Sequence, residues 1–251
     1  MVANEFVGHE IPLLPSGSRV LVNTLPPAEC AADIVLGGKI WQAAPEMCRW
    51  IQRNQSAFAG SSVLELGAGT GSCGLYCAGC GASRVVCTEG TADAPQLIEL
   101  MTGSIQRNLA TWLADGVVTV QRLDWGCDPE LLPRGPFDWV IASDCVYDSD
   151  DYDLLCHTLR HVLVSSTEQG TSATRAILAI QHGIPSSHGW ETELFADTTL
   201  HELQAAAHRH GLLIVGVVSQ VNPMLQGVEE LLFPKDDFED GRVVLVEALL
   251  D

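Results

Sequence analysis

Basic residues are scarce in this chain. Lys and Arg number 13 against 32 Asp and Glu, leaving a net charge of -19. Nonspecific nucleic-acid affinity comes mainly from cationic contacts to phosphates, so this balance argues against a nucleic-acid partner. It favours a basic partner, drawn by a field that salt weakens. Long apolar runs are also missing: no segment approaches the ~18 uninterrupted apolar residues of a membrane span. The opening "MVANEFVGHEIPLLPSGS" has no basic patch followed by an apolar stretch, so no signal peptide is expected. Internal repeats and low-complexity tracts are absent too. The nine cysteines are odd in number and scattered through apolar stretches. They read as buried thiols of a reducing compartment, the cytoplasm or nucleus. Cys73, Cys77 and Cys80 would share one side of a helix, but no fourth ligand lies nearby, and packing is the favoured reading over a metal site.

What is present is a real core: 47% of residues are apolar and 18% charged over 251 residues, enough for one large α/β domain. Residues 1 to 36 are punctuated by Pro12, Pro15, Pro26 and Pro27 and form an N-terminal extension packing on the core. Within it "RVLVNTL" suggests an edge strand. From residue 37 the pattern alternates. "GGKIWQAAPEMCRWIQRN" reads as a helix with Trp41, Ala44, Cys48 and Ile51 on one face, Pro45 being acceptable only in its first turn. Strands follow in "SSVLELG", "RVVCTE", "VVTVQRLDW", "FDWVIASD" and "RAILAIQ", separated by helices, and two last strands in "LLIVGVVSQV" and "RVVLVEALL". Such alternation implies a mostly parallel sheet with helices on both faces. The stretch 222–241, with Asp236, Asp237, Glu239 and Asp240, reads as a solvated acidic loop rather than a lid over substrate.

The stretch "VLELGAGTGSCG" places a tight glycine turn between a strand and a helix, an anion-friendly backbone cradle. A Walker loop would end in Gly-Lys-Ser/Thr, and none occurs. A dinucleotide loop is spaced G-x-G-x-x-G, whereas Gly67, Gly69 and Gly71 follow one another at alternate positions, with Ala68 between the first two. Glu65 precedes Gly67 by two residues; beside a pyrophosphate it would sit badly, beside an amino-acid ammonium it would sit well. The loop therefore favours S-adenosylmethionine. Glu89 ends the second strand, where a carboxylate can accept ribose hydroxyls. Asp124 can accept an adenine amino group and Trp125 can cover a ring face. The alternative for this pair is a turn acid and a core aromatic.

With these marks, "GGKIWQAA", "VLELGAGTG", "VVCTE", "LDWG" and "SDCVYD", the chain resembles class I (seven-strand) S-adenosylmethionine-dependent methyltransferases. Within them it is similar to the methyltransferase-like group of non-histone protein-lysine methyltransferases. The resemblance covers residues 37–251. It implies a Rossmann-like sheet of order 3-2-1-4-5-7-6 with strand 7 antiparallel, and a monomer acting on a basic protein that presents a lysine. It also implies that Trp41, Glu65, Gly67, Glu89, Asp124, Trp125 and the segment at Ser143 line the cofactor. In that group the fourth strand ends in Asp-x-x-Tyr, matched by Asp144 and Tyr147. These two are the candidate catalytic residues: a carboxylate to hold an arriving ammonium, a tyrosine to orient the amine. A helix cap and a core aromatic are their structural alternatives. His182 is a further candidate near the pocket mouth. Other readings on the same fold are a small-molecule methyltransferase, an enzyme acting on another protein side chain, and a non-catalytic cofactor-binding partner.

Overall fold

A computed structural model describes residues 14, 16–26, 35–90, 93–145, 151–169, 174–182, 192–216 and 242–251, with backbone alone for 181–182, 192–199 and 242–244. A 3-10 turn at Leu36–Gly38 leads into helices α1 (Ala43–Arg53) and α2 (Gln55–Phe58). The alternation then runs β1 (Ser62–Leu66), α3 (Ser72–Gly79), β2 (Arg84–Glu89), α4 (Ala94–Leu109), β3 (Val118–Arg122) and β4 (Trp139–Ser143). It ends with α5 (Tyr152–Glu168), β5 (Arg175–His182), α6 (Thr192–Arg209), β6 (Leu212–Gly216) and β7 (Arg242–Leu250).

The strands form one sheet of order β3-β2-β1-β4-β5-β7-β6. β7 runs antiparallel to both β5 and β6, and the other pairings are parallel. The order expected from the resemblance is thus the order observed. Successive residues of a strand face opposite sides, and the core divides accordingly. Val63, Val85 and Ile141 pack with Met47, Ile51 and Tyr76 on the side of α1 and α3. Leu64, Leu66, Val140 and Leu178 pack with Leu155, Leu159 and Leu203 on the side of α5 and α6. Strands buried on both faces need continuous apolar runs, which is why "SVLEL" and "WVIAS" show little alternation.

Chain direction reverses its walk across the sheet at β1: β2 and β3 lie to one side, β4 and β5 to the other. Ligands of open α/β sheets bind at such a switch point, beyond the carboxyl ends of the strands. The register aligns those ends. Leu66 pairs with Ala142, and Glu89 with Arg122. Gly67, Glu89, Asp124 and Ser143 therefore emerge along one edge.

Two expectations are corrected. The first helix does not start at residue 37 but at Ala43, so Trp41 precedes it while Ala44, Cys48 and Ile51 are buried on its inner face. Pro45 falls in the first turn, where its missing N–H is no loss. "RVLVNTL" is not an edge strand: its backbone groups pair with α4 side chains instead. Leu21 N–H donates to Asn108 Oδ1 and Leu21 O accepts from Asn108 Nδ2, while Asn23 N–H donates to Ser104 Oγ. Val20 and Val22 are buried beneath. Cys73, Cys77 and Cys80 are all buried in the core beside α1.

Candidate functional site

The glycine turn after β1 is folded against both neighbouring strand ends. Ala68 N–H donates to Thr88 O at 2.9 Å, and Gly71 N–H closes the turn on Ala68 O at 2.7 Å. Gly67 and Gly69 hold φ values of +59° and +53°, a region that side-chain-bearing residues seldom occupy. Space demands glycine as well. A methyl group at Gly67 would lie 2.7 Å from Cys145 Sγ and 3.0 Å from the Trp125 ring; one at Gly69 would lie 2.9 Å from Gly37 O. The turn is thus walled by Trp125, Cys145 and the 36–38 segment.

Glu89 closes the next side. Its Oε2 accepts from Gly69 N–H at 2.7 Å and its Oε1 from Gly90 N–H at 3.0 Å. Burial pushes its carboxyl above the usual range, and those two N–H donors oppose the shift. A carboxylate has about four lone-pair sites, so two remain for hydroxyls of a ligand. Asp124 stands next to it: a methyl group at Gly90 would come within 3.1 Å of Asp124 Oδ1. Asp124 itself takes a bidentate pairing from Arg122, at 3.1 and 3.2 Å.

Ser143 and Asp144 form the far side. Ser143 Oγ is buried with no hydrogen-bond partner, a state that calls for a missing group. Asp144 is the one non-glycine residue with positive φ among those described, at 54°. Its N–H donates to Ala179 O, fixing the turn after β4. Its Oδ2 accepts from Ala43 N–H at 3.1 Å, satisfying a free donor at the start of α1. Trp41 lies just upstream. Its indole N–H donates to Leu36 O at 2.9 Å, and the Lys39 ammonium stands 3.7 Å from its ring centre.

Most of the expected residues therefore gather at one strand edge: Gly67, Ala68, Gly69, Gly71, Glu89, Asp124, Trp125, Ser143 and Asp144. Glu65 is placed differently. Its side chain is 2% exposed, and its Oε2 accepts from Gly74 N–H at 2.9 Å and Cys87 Sγ at 3.3 Å. Strand pleat turns it into the core with Val63, so it braces the first turn of α3 rather than opening to a ligand ammonium. Burial lifts its pKa to about 7, against the lowering effect of those two bonds and helped by the charge of Glu89. Tyr147, the side chain of His182 and the acidic stretch 222–241 lie outside the described residues.

Two contributors were missed by sequence reasoning. Cys145 seats its thiol under the turn, donating to Leu66 O at 3.3 Å. Gly37 lies on Gly69. The signals were there, in the "SDCVYD" and "GGKIWQAA" stretches themselves, but contact between them is tertiary.

Sheet order, glycine turn and the carboxylate at the end of β2 define a Rossmann-like methyltransferase fold. The chain belongs to the lysine methyltransferase family, whose model matches residues 28–177. Among curated relatives it is 30% identical over 128 residues to a Danio rerio protein named protein N-lysine methyltransferase METTL21A, covering 51% of this chain and 56% of the relative. It is 29% identical over 179 residues to the Mus musculus EEF1A lysine methyltransferase 3, covering 71% of this chain and 66% of the relative. The chain thus spans between half and two thirds of these relatives' own lengths. A putative transferase from Pyrococcus horikoshii shares the fold, at a TM-score of 0.53 and 12% identity, over 99% of this chain and 74% of that one.

Proposed function

We propose that the protein transfers a methyl group from S-adenosylmethionine to a lysine side chain of a non-histone protein, acting as a monomer in the cytoplasm or nucleus. The observation that carries this reading is the Glu89 carboxylate held on Gly69 and Gly90 N–H groups beside Trp125 and the orphaned Ser143 hydroxyl. That set fits a ligand with ribose hydroxyls and no phosphate. The relatives named for protein-lysine methylation support the acceptor.

When bound, the sulfonium supplies an activated methyl and its own leaving group, so the protein's work is positioning and exclusion of water. Glu89 accepts ribose hydroxyls on its spare lone pairs. Asp124 accepts an amino group of the base, and Trp125 covers its ring. Ser143 Oγ gains the partner it lacks. A lysine nucleophile must be neutral, and only about one in 10³–10⁴ is so at pH 7. Asp144 attracts the arriving ammonium, and Tyr147 orients the amine once its proton has left to solvent. The surplus of acidic side chains steers a basic protein surface toward the site.

Calorimetry tests the cofactor half of this reading. S-Adenosylmethionine and its demethylated product should bind with micromolar affinity, about −7 to −8 kcal/mol. NAD binding as tightly, with no heat from S-adenosylmethionine, would overturn it.

A further inference from the structure

A second cluster of ligating side chains lies away from the cofactor edge, on α5. His157 and His161 are spaced i, i+4, which places them one above the other on a single helix face. Their Nε2 atoms are 3.2 Å apart, with ring centres at 4.4 Å. Two imidazoles on one metal ion at ~2.0–2.1 Å would hold their nitrogens at this separation with an N–metal–N angle of about 99–106°, close to tetrahedral. The separation of the two nitrogens therefore matches chelation of one ion.

Three further observations bear on the pair. His157 Nδ1 is buried and makes no hydrogen bond, so the ring's tautomer rests on the Nε2 contact with His161. Its Nε2 faces the Nε2 of His161, a contact that an ion between the two rings would replace. His161 lines a cavity of about 550 Å³, bounded also by Glu130, Arg134, Phe137 and Glu168, which gives an entry path. The adjoining charges are already engaged: His210 Nε2 bonds Asp153 Oδ1 at 3.0 Å, and Arg209 grips the same carboxylate.

We propose that His157 and His161 form a two-imidazole site for a divalent transition-metal ion such as zinc. No group of three or more ligating side chains is found among the described residues, so water fills the remaining positions. Structural zinc sites are closed by four protein ligands; this one is open and exchangeable. It clips two turns of α5, the helix that starts eight residues after Asp144. The competing state is simple: one Nε2–H donates to the other Nε2, and the pair does nothing more.

The test is calorimetric titration of the full chain with zinc chloride at neutral pH, repeated on His157→Gln, His161→Gln and His208→Gln. His208 is exposed on α6 and serves as the control. One zinc equivalent should bind the parent chain and the control alike, with at least tenfold weaker binding in each of the other two. Ring resonances of His157 and His161 should shift together on the same titration, a readout that needs no variant to fold. No saturable binding, or equal binding by all four proteins with unmoved ring signals, would overturn the site and leave a shared proton as the whole explanation.

Discussion

Glu89 Oε2 accepts a hydrogen bond from Gly69 N–H at 2.7 Å. One carboxylate at the end of β2 therefore both shapes the glycine turn after β1 and presents its spare lone pairs to whatever the turn holds. Glu89→Ala removes the acceptor and should weaken S-adenosylmethionine binding by roughly 1–3 kcal/mol. Glu89→Gln keeps one acceptor oxygen and should weaken it less. Calorimetry on both variants checks the ordering.

Asp144 carries two tasks that substitution can separate. Its Oδ2 satisfies Ala43 N–H, and its backbone sits at φ 54°. Asn retains an acceptor and tolerates this backbone region, whereas Ala does neither. Asp144→Ala should therefore cost about 1–2 kcal/mol of stability. Asp144→Asn should melt close to the parent while losing turnover by about 10²-fold, if the charge serves the acceptor amine. Melting curves beside methyl-transfer rates decide it; parallel loss of both in the Asn variant would assign Asp144 to structure alone.

Gly67→Ala should be among the most damaging single-methyl changes. It meets Cys145 Sγ and the Trp125 ring at 2.7 and 3.0 Å with φ at +59°. Lower thermal stability and lost cofactor binding are expected together. Binding and melting that match the parent would show that the turn is not held as described.

Glu65 sets a pH dependence. Its carboxyl titrates at about 7 in the folded chain, against 4.5 ordinarily. Between those values the folded state holds a proton the unfolded state has released, so stability falls as pH rises through this window, by about 3 kcal/mol in all. Glu65→Gln should remove that slope. Denaturant midpoints of both proteins at pH 5 and pH 8 measure it, the difference between them cancelling other titrations.

Strand β2 could be read from sequence to the residue, because the β-branched Val85, Val86 and Thr88 crowd the short run between Arg84 and Glu89 and Gly90 stops it. The start of α1 could not, since "GGKIWQ" keeps an apolar spacing that suits a helix while two glycines favour the turn that forms. The gathering of Gly67, Glu89, Asp124 and Ser143 along one edge was legible because they sit at strand ends, where sheet topology alone brings them together. Glu65 was misplaced by its nearness to the loop, although the pleat that faces it inward with Val63 is a period-two pattern. The bond from Asp144 to Ala43 joins residues 101 apart, and no local pattern announces a contact of that range.

The acceptor is tested most directly by incubating the protein and a cell lysate with isotopically labelled S-adenosylmethionine and identifying the labelled products by mass spectrometry. Label on lysine side chains of proteins with basic surfaces, falling as salt rises, is the expected result. Label confined to RNA, to small molecules or to arginine, with methyl-lysine absent, would contradict it.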